Sequence, residues 1–239
     1  MNIALIGYGK MGQAIEEVAV RRGHTILQRF TSASKQDMDE AHLHNVDVAI
    51  EFTRPECALE NVTKCFEAGI NVVCGTTGWN DQLELANKQA EANKTGFLQA
   101  SNFSIGVNIF FEINKLLAYM MNGHEEYNVA IEETHHIHKK DAPSGTAITL
   151  AQQIINNLNG KDRWDLGGSG IASSIPVIAQ RTDNVPGTHK ISYSSVTDDI
   201  EIIHTAHNRD GFALGAVLAA EFLMGKRGIF TMKDVLGFK

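Results

Sequence analysis

Residues 1–22 read MNIALIGYGKMGQAIEEVAVRR. Met1 to Ile6 is a short apolar run, Gly7, Gly9 and Gly12 punctuate GYGKMG, and Gln13 to Arg22 is an amphipathic stretch. Strand, glycine turn and helix in that order are the context that lifts a GxGxxG spacing above chance. Gly7 permits the tight turn, Gly9 lets a pyrophosphate approach the backbone, and Gly12 lets the helix pack closely on the strand. The competing reading is a glycine-rich turn of an unrelated α/β domain.

His24 to Phe30 forms a second strand, so the chain opens as a Rossmann-type βαβ unit. Strand and helix then alternate: Asp47 to Phe52, Pro55 to Ala68 with proline at the helix start, Ile70 to Cys74, Asp81 to Asn93, Gly96 to Ala100. Repeats of this length predict an α/β fold with a doubly wound parallel sheet. Ligands of such sheets bind beyond the carboxyl ends of the strands. Attention therefore falls on the loops Glu51 to Arg54, Gly75 to Trp79 and Ser101 to Ser104. In GTTGW, hydroxyls lie beside a backbone that a flat ring can approach; the plain alternative is a hydroxyl-rich turn.

An acidic residue about twenty positions after the glycines would hold the ribose hydroxyls of NAD. This chain offers Thr31, Ser32, Ala33, Ser34 and Lys35 there, with the first carboxylate at Asp37. With Lys10 inside the glycine turn, Ser32 and Lys35 favour the 2′-phosphate of NADPH, and NADH use stays open.

The pattern changes from Ile105. A helical run to Met121 leads into YNVAIEETHHIH, then a helix from Gly145 to Leu158, a Gly/Ser/Asn-rich loop or lid over Asn159 to Ser174, and strands at Ile175 to Arg181, His189 to Val196 and Ile200 to Ala206. Short connections between consecutive strands predict a second, α+β domain on a mixed or antiparallel sheet. Its sheet edges need covering, which points to a homo-oligomer. The apolar helix Phe212 to Met224 has no partner of its own and is expected to pack back on the first domain.

The densest chemistry lies at His135 to Ala147, HHIHKKDAPSGTA. His135 and His136 exchange protons near neutral pH, and Lys139 and Lys140 supply cations for an anionic substrate. Pro143 to Ala147 reads as a helix start whose backbone NH groups, with the Ser144 and Thr146 hydroxyls, suit a carboxylate or phosphate. A solvated basic turn is the bland reading. A three-histidine metal site would require the strand to break, since His136 and His138 share one face of it and His135 the other. Without a fitting carboxylate or cysteine the spacing is a poor match to catalytic zinc, and no metal is expected.

Composition narrows the class. The 239 residues can form one large domain or two modest ones, 43% hydrophobic content is ample for a core, and a net charge of -7 argues against general nucleic-acid binding. Cys57, Cys65 and Cys74 are odd in number with no CxxC spacing, so reduced buried thiols are expected. No signal peptide is read at the N-terminus, and the apolar stretch Phe212 to Gly225, interrupted by Glu221, is too short to span a bilayer. A cytoplasmic enzyme free of membrane and nucleic acid is the expectation.

EETHHIHKKDAPSGTA resembles the signature E-x-H-H-x-x-K-x-D-A-P-S-G-T-A of the 4-hydroxy-tetrahydrodipicolinate reductase family, also called the dihydrodipicolinate reductase family. GYGKMG, EFTRPE, GTTGW, SNFSIGVN, PGTHKISY and RDGFALGA extend the resemblance over nearly the whole chain. The resemblance implies reduction of a small cyclic dicarboxylate by hydride transfer from NADPH or NADH, in lysine and diaminopimelate biosynthesis. It further implies that His135 protonates the substrate ring with Lys139 as its partner, that His136 contacts substrate, and that Ser144, Gly145 and Thr146 clamp a carboxylate. Gly7, Lys10 and Met11 would form the dinucleotide turn, Phe52 and Thr53 the wall beside it, and Gly75, Thr76 and Thr77 the nicotinamide loop. Asn102, Phe103, Arg209 and Phe212 would lie near the cofactor. The implied domains are 1–106 plus 209–239 for the dinucleotide and 107–208 for substrate and oligomerisation, in a homotetramer. The chain departs from the family in lacking the extra glycine of G-x-G-G-R/K-M-G and the acidic residue after the second strand, and in having Glu51 where Asp is usual. These departures bear on cofactor preference. Rival readings are another nicotinamide-dependent oxidoreductase on the same plan, an inert NADPH-sensing module and a metal-dependent hydrolase.

Overall fold

A computed structural model of the chain describes residues 1–34 and 37–238. In chain order the elements are β1 (Asn2–Ile6), α1 (Lys10–Arg21), β2 (Thr25–Phe30), α2 (Glu40–Leu43), β3 (Val48–Glu51), α3 (Pro55–Glu67), β4 (Asn71–Cys74), α4 (Leu83–Ala92), β5 (Gly96–Gln99) and α5 (Ile105–Met120). There follow β6 (Asn128–His135), α6 (Gly145–Asn157), β7 (Arg163–Leu166), β8 (Ser174–Arg181), β9 (Gly187–Ser194), β10 (Asp199–Ala206), α7 (Asp210–Leu223), β11 (Gly228–Phe230) and α8 (Met232–Leu236). Contacts divide the chain into two compact units, Met1–Ile105 with Arg209–Lys239, and Gly106–Asn208.

The first unit is a six-stranded sheet in the order β11-β5-β4-β3-β1-β2, every pair parallel. Side chains alternate across a strand, and the alternation sorts them into two cores. Ile3, Leu5, Val48, Ile50, Val73 and Leu98 face one, with Ile15, Val18 and Ala19 of α1 and the Ala-rich face of α7. Ala4, Ile6, Ala49, Val72, Cys74 and Phe97 face the other, with Ala58, Val62, Cys65 and Phe66 of α3 and Ala86 and Ala90 of α4. Burial on both faces explains why these strands read as continuous apolar runs. The orphan helix α7 belongs here: a Cβ on its Gly215 would fall 1.7 Å from the Phe103 carbonyl oxygen, so only glycine allows this approach.

The second unit is a mixed sheet, β10-β9-β6-β8-β7, with β6–β9 and β9–β10 antiparallel and β6–β8 and β7–β8 parallel. One face carries the core: Val129 and Ile131 of β6, Val177 of β8 and Ile191 and Tyr193 of β9 meet Phe110 and Phe111 of α5 and Leu150 and Ile154 of α6. The opposite face holds Ile178 and Ile203, both exposed, around the Lys190–Glu201 ion pair of 2.6 Å.

The doubly wound parallel sheet and the mixed α+β sheet are as the sequence predicts. The stretch 159–174 is not one loop, because β7 lies inside it, parallel to β8 with Trp164 opposite Ile175. Four residues with no fully buried position carry no alternation to detect; tertiary pairing decides them. The strand of YNVAIEETHHIH ends at His135, and the expected helix from Asp81 begins as a 3₁₀ turn over Asn80–Gln82. The short elements α2, β11 and α8 went unforeseen. No helix among the described residues is long and apolar enough to cross a membrane.

Candidate active site

In the first unit, Gly7 has φ +93, and a Cβ there would lie 2.0 Å from the Phe52 carbonyl oxygen. A Cβ on Gly12 would lie 2.3 Å from the Gly7 carbonyl oxygen, so Gly12 lets α1 close on the turn. Gly9 differs: it is the N-cap of α1 without a side-chain cap, and nothing lies within 4 Å of its missing Cβ. A helix N-terminus with open space beside it suits an anion. The turn borders a cavity of about 330 Å3 whose lining includes Gly7, Gly9, Ser32, Thr53, Cys57 and Asn61.

Beside it, the Phe52 ring lies where a Cβ on Gly75 would come within 2.2 Å of it, and its centroid is 5.6 Å from that of Phe103. The Thr53 NH donates to Thr76 Oγ1 at 2.7 Å, and the Trp79 indole donates to the Thr76 carbonyl at 2.8 Å. The loops after β3 and β4 are thereby tied together, with Thr77 exposed. Asn102 Oδ1 accepts from Ser104 N at 2.9 Å. Arg209 is the exposed N-cap of α7, Phe212 is half-buried on its first turn, Lys10 is exposed, and Met11 packs on the core. Lys35 lies outside the described residues.

Two clusters here escaped the sequence reading. Glu16 takes hydrogen bonds from Arg29 and Tyr8, and the Arg29 guanidinium chiefly holds its carboxyl down at about 2. Arg29, at the end of β2, is thus already paired. Glu51 is fully buried and accepts from Thr53, from Asn61 Nδ2 at 3.1 Å and from Cys74 Sγ at 3.1 Å. The first cluster has no spacing that a linear motif would flag; in the second, EFTRPE holds Glu51 and Thr53 but gives no sign of Asn61 or Cys74.

In the second unit, the sheet register assembles the site. Val129 and Ile131 point into the core, so Glu133 and His135 continue on the same face of β6. Antiparallel pairing sets Glu133 opposite His189 of β9, and parallel pairing sets His135 opposite Arg181 of β8. The N-terminus of α6 completes the group: Ser144 N donates to both Glu133 oxygens at 3.0 and 3.1 Å. Arg181 Nη2 donates to Glu133 Oε1 at 3.2 Å, and Ser144 Oγ meets His189 Nε2 at 3.1 Å. Glu133 Oε2 lies 3.5 Å from His135 Nδ1 and 3.6 Å from His189 Nε2, with the two imidazoles edge to face at 5.0 Å.

Charge follows from these contacts. Burial pushes the Glu133 carboxyl up, and hydrogen bonds from His189 and Ser144 outweigh it, leaving it ionised down to about 2. Burial lowers His135 to about 4 against the opposing pull of Glu133, so the ring is neutral at pH 7 in the free protein. Lys139 pairs with Asp141 at 2.8 Å, and His136 is half-buried with an enclosed Nδ1, its ring 6.1 Å from that of His138.

The sequence reading gave Ser144 an anion-binding hydroxyl. In the fold that hydroxyl caps α6 by accepting from Ala147 N at 3.2 Å and also pairs with His189, leaving Gly145 exposed and Thr146 half-buried at the helix start. Glu133, His189, Arg181 and Gly187 were missed as site residues. Glu133, His135 and His189 also bring ligand-type atoms within 4.8 Å of one another. Glu133 already accepts from Ser144 and from the Arg181 guanidinium, whose charge opposes a cation, so the geometry favours a hydrogen-bonded cluster. A larger cavity, about 760 Å3, is lined by Met121, Tyr127, Lys161 and Asp165 among others and includes none of these groups.

Sequence profiles described as dihydrodipicolinate reductase, N-terminus and C-terminus, match residues 1–103 and 106–236. A curated 4-hydroxy-tetrahydrodipicolinate reductase of Christiangramia forsetii is 52% identical over 99% of this chain and 98% of its own length. One from Neisseria gonorrhoeae is 38% identical over 93% of this chain and 84% of its own. Among solved structures, the dipicolinate-bound dihydrodipicolinate reductase of Paenisporosarcina sp. TG-14 aligns with TM-score 0.77 at 22% identity over 98% of both chains. An amine dehydrogenase of Mycobacterium smegmatis aligns at 0.65 with 10% identity over 97% of this chain and 95% of its own, a likeness of fold alone.

Proposed function

The chain belongs to the dihydrodipicolinate reductase family, and from that premise we propose how its residues divide the work. It is an NAD(P)H-dependent oxidoreductase that reduces 4-hydroxy-tetrahydrodipicolinate to tetrahydrodipicolinate in lysine and diaminopimelate biosynthesis. The reduced nicotinamide supplies the hydride. Everything else falls to the protein: binding, orientation, charge and the proton.

Residues 1–106 with 209–239 take the dinucleotide. The open backbone at Gly9, with Gly7, Lys10, Met11 and Gly12, receives the pyrophosphate at the start of α1. Ser32 borders the cavity where the ribose would lie, and no carboxylate follows β2 among the described residues of 31–34, which favours NADPH and leaves NADH usable. Phe52, Thr53, Gly75, Thr76 and Thr77 form the wall for a flat ring, with Phe103 packed on Phe52 and with Asn102, Arg209 and Phe212 completing the cofactor's surroundings.

Residues 107–208 take the dicarboxylate. Gly145 and Thr146 at the start of α6, with His136 and Lys139, grip its two negative charges, Ser144 holding the helix start in place through its contacts with Glu133 and Ala147, and His135 or Lys139 delivers the proton. Preorganised donors around an anion that gathers electrons contribute several kcal/mol. A positioned general acid adds about two to four powers of ten. The observation that carries the reading is the placement of His135 where β6 stops, beside the α6 N-terminus and in contact with a buried carboxylate. The exposed Ile178 and Ile203 on the open sheet face support a homotetramer built through that face, and the free thiols with this class of biosynthetic reaction support a cytoplasmic setting.

The test follows loss of reduced nicotinamide with NADH and NADPH in parallel, on substrate generated in place by the preceding synthase. Turnover with either cofactor is expected; none with both defeats the reading. His135→Gln should lower turnover far more than cofactor affinity, and an unchanged turnover number removes His135 from the mechanism.

A further inference from the structure

His135 is held by contacts that the family reading does not use. Its Nδ1 is enclosed without a hydrogen-bond partner, and the acceptor beside it is Glu133 Oε2 at 3.5 Å. Its Nε2 borders Gly187: a Cβ at that position would lie 3.0 Å from Nε2 and 3.2 Å from Cδ2. Glu133 is itself immobilised by the two Ser144 backbone contacts and by Arg181, each from a different element. A carboxylate with no exposed side-chain surface, held from α6 and β8 and pressed against one nitrogen of the ring, is a costly arrangement unless its charge is used.

We propose that Glu133 is the positioning residue for His135. It keeps the Nδ1 proton on the ring and stabilises the imidazolium, so that Nε2, in the space left by Gly187, is the nitrogen that gives the proton to substrate. This rests on the assignment of His135 as proton donor. In the step, the 4-hydroxyl leaves as water, and the carbon–carbon double bond so formed gains one hydride from the reduced nicotinamide and one proton. The Nε2–H bond of the imidazolium breaks with its electron pair left on nitrogen, and the neutral ring retains its Nδ1 proton facing Glu133. Because the ring is neutral at pH 7 in the free protein, Nε2 takes its proton from solvent when the dianionic substrate binds, whose charge joins that of Glu133 in favouring the imidazolium. The charged and titratable groups facing the ring are Glu133 on β6, His189 on β9, Arg181 on β8 and Lys139 in the following turn. Glu133 is the one anion among them, and the three others oppose protonation.

The experiment is a pH–rate profile of the full chain with NADPH, comparing Glu133→Gln, Glu133→Asp, His135→Gln and Gly187→Ala, with NADPH affinity measured by fluorescence. Removing the charge should cut turnover by about tenfold or more, part of the factor a general acid supplies. It should also move the limb that reports His135 protonation to lower pH, with NADPH affinity within about twofold of wild type. Glu133→Asp, which keeps the charge, should recover part of the rate and the limb. Gly187→Ala should keep the fold and lower turnover by crowding Nε2. Lost turnover with an unmoved limb, or unchanged turnover in Glu133→Gln, overturns the proposal; so does a fully active Gly187→Ala. If His135→Gln is itself fully active, the donor assignment fails and this inference fails with it. If only the Glu133 and Gly187 variants behave as wild type, the donor assignment stands and this inference alone falls.

Discussion

Two glycines of one turn should fail in different ways when given a methyl group. In Gly7→Ala the Cβ falls 2.0 Å from the Phe52 carbonyl oxygen and 2.9 Å from Thr53 Cγ2, at φ +93. An ordinary C···O approach is about 3.3 Å, so the turn and the segment after β3 must part by over an ångström. The left-handed backbone costs about 1–2 kcal/mol for a residue with a Cβ, and overpacking about 1–3 more. At about 2–4 °C per kcal/mol for chains of this size, the melting temperature of the first unit should fall by roughly 4–20 °C. Gly9→Ala meets nothing within 4 Å, and its φ of -84 suits alanine. Its melting temperature without ligand should stay within about 4 °C of wild type, since about 0.5–1 kcal/mol of capping is at stake. The methyl instead occupies the space proposed for the pyrophosphate, and a loss of about 1.4 kcal/mol or more there is a tenfold weaker NADPH complex. Thermal melts by circular dichroism and NADPH fluorescence titrations read both quantities. If Gly9→Ala melts as low as Gly7→Ala, or binds NADPH as wild type does, the cofactor does not lie where the turn is argued to hold it.

Stability should fall on acidification in two stages. His135 stays neutral in the fold to about 4 whereas an unfolded histidine protonates near 6.5, so stability is full above about pH 6.5 and declines towards pH 4; Glu133, held at about 2 against 4.5, adds a second loss below pH 4.5. Urea midpoints at pH 7, 5.5 and 4 should therefore drop in that order, and a midpoint that rises contradicts the burial of the pair. Of the three thiols, Cys57 lines the cavity beside Gly7, whereas burial raises Cys65 to about 12 and Cys74 well above its ordinary value. A disulfide reagent should modify Cys57 first and NADPH should slow that reaction; modification indifferent to NADPH argues against the cavity as the nucleotide site. Gly215→Ala should lower the melting temperature, because its Cβ falls 1.7 Å from the Phe103 carbonyl oxygen, whereas Gly211→Ala, 3.7 Å from Ser104 Oγ, should be tolerated. Equal melts for the two would show that α7 does not sit against the segment before α5 as described.

What could be read in the sequence is what local pattern dictates. Strands β1, β3, β4 and β5 are buried on both faces, so each is an unbroken apolar run between turn residues, and their positions follow directly. Helices α1 and α3 announce themselves by spacing, and α3 also by Pro55 at its first turn. The short pieces β7, β11 and α8 carry three to five residues each, too few for a period to emerge. They exist because a neighbouring strand or helix offers hydrogen bonds and surface, which no window of sequence records. The glycines divide in the same way. Gly7, Gly9 and Gly12 share one motif, whereas Gly75 needs its neighbour Phe52, Gly187 needs His135, and Gly215 needs Phe103.

The site in the second unit shows where local reading must stop. His135 and Lys139 stand out because imidazole and ammonium groups crowd one segment, and a helix start follows at Ser144. Glu133 is the glutamate of the E-x-H-H signature, which gives it no role, and it sits two positions before His135 in an acidic pair with Glu132. The pleat separates them: Glu132 stays half-buried on the open face, near Lys190, while Glu133 turns inward to His135. His189 and Arg181 lie far along the chain and reach Glu133 only through the pairing of β6 with β9 and β8. A one-residue slip in either pairing would send one of them to the wrong face and leave the buried carboxylate short of a partner, with only the Ser144 NH and the other strand's group remaining, at a cost of several kcal/mol. The polar cluster therefore helps fix the register that creates it, and the apolar pairs Val129–Tyr193 and Ile131–Ile191 fix the same register from the core side. Chemistry and packing select one alignment of the sheet, which is why the histidine proposed as proton donor can be buried and still held against a charged partner.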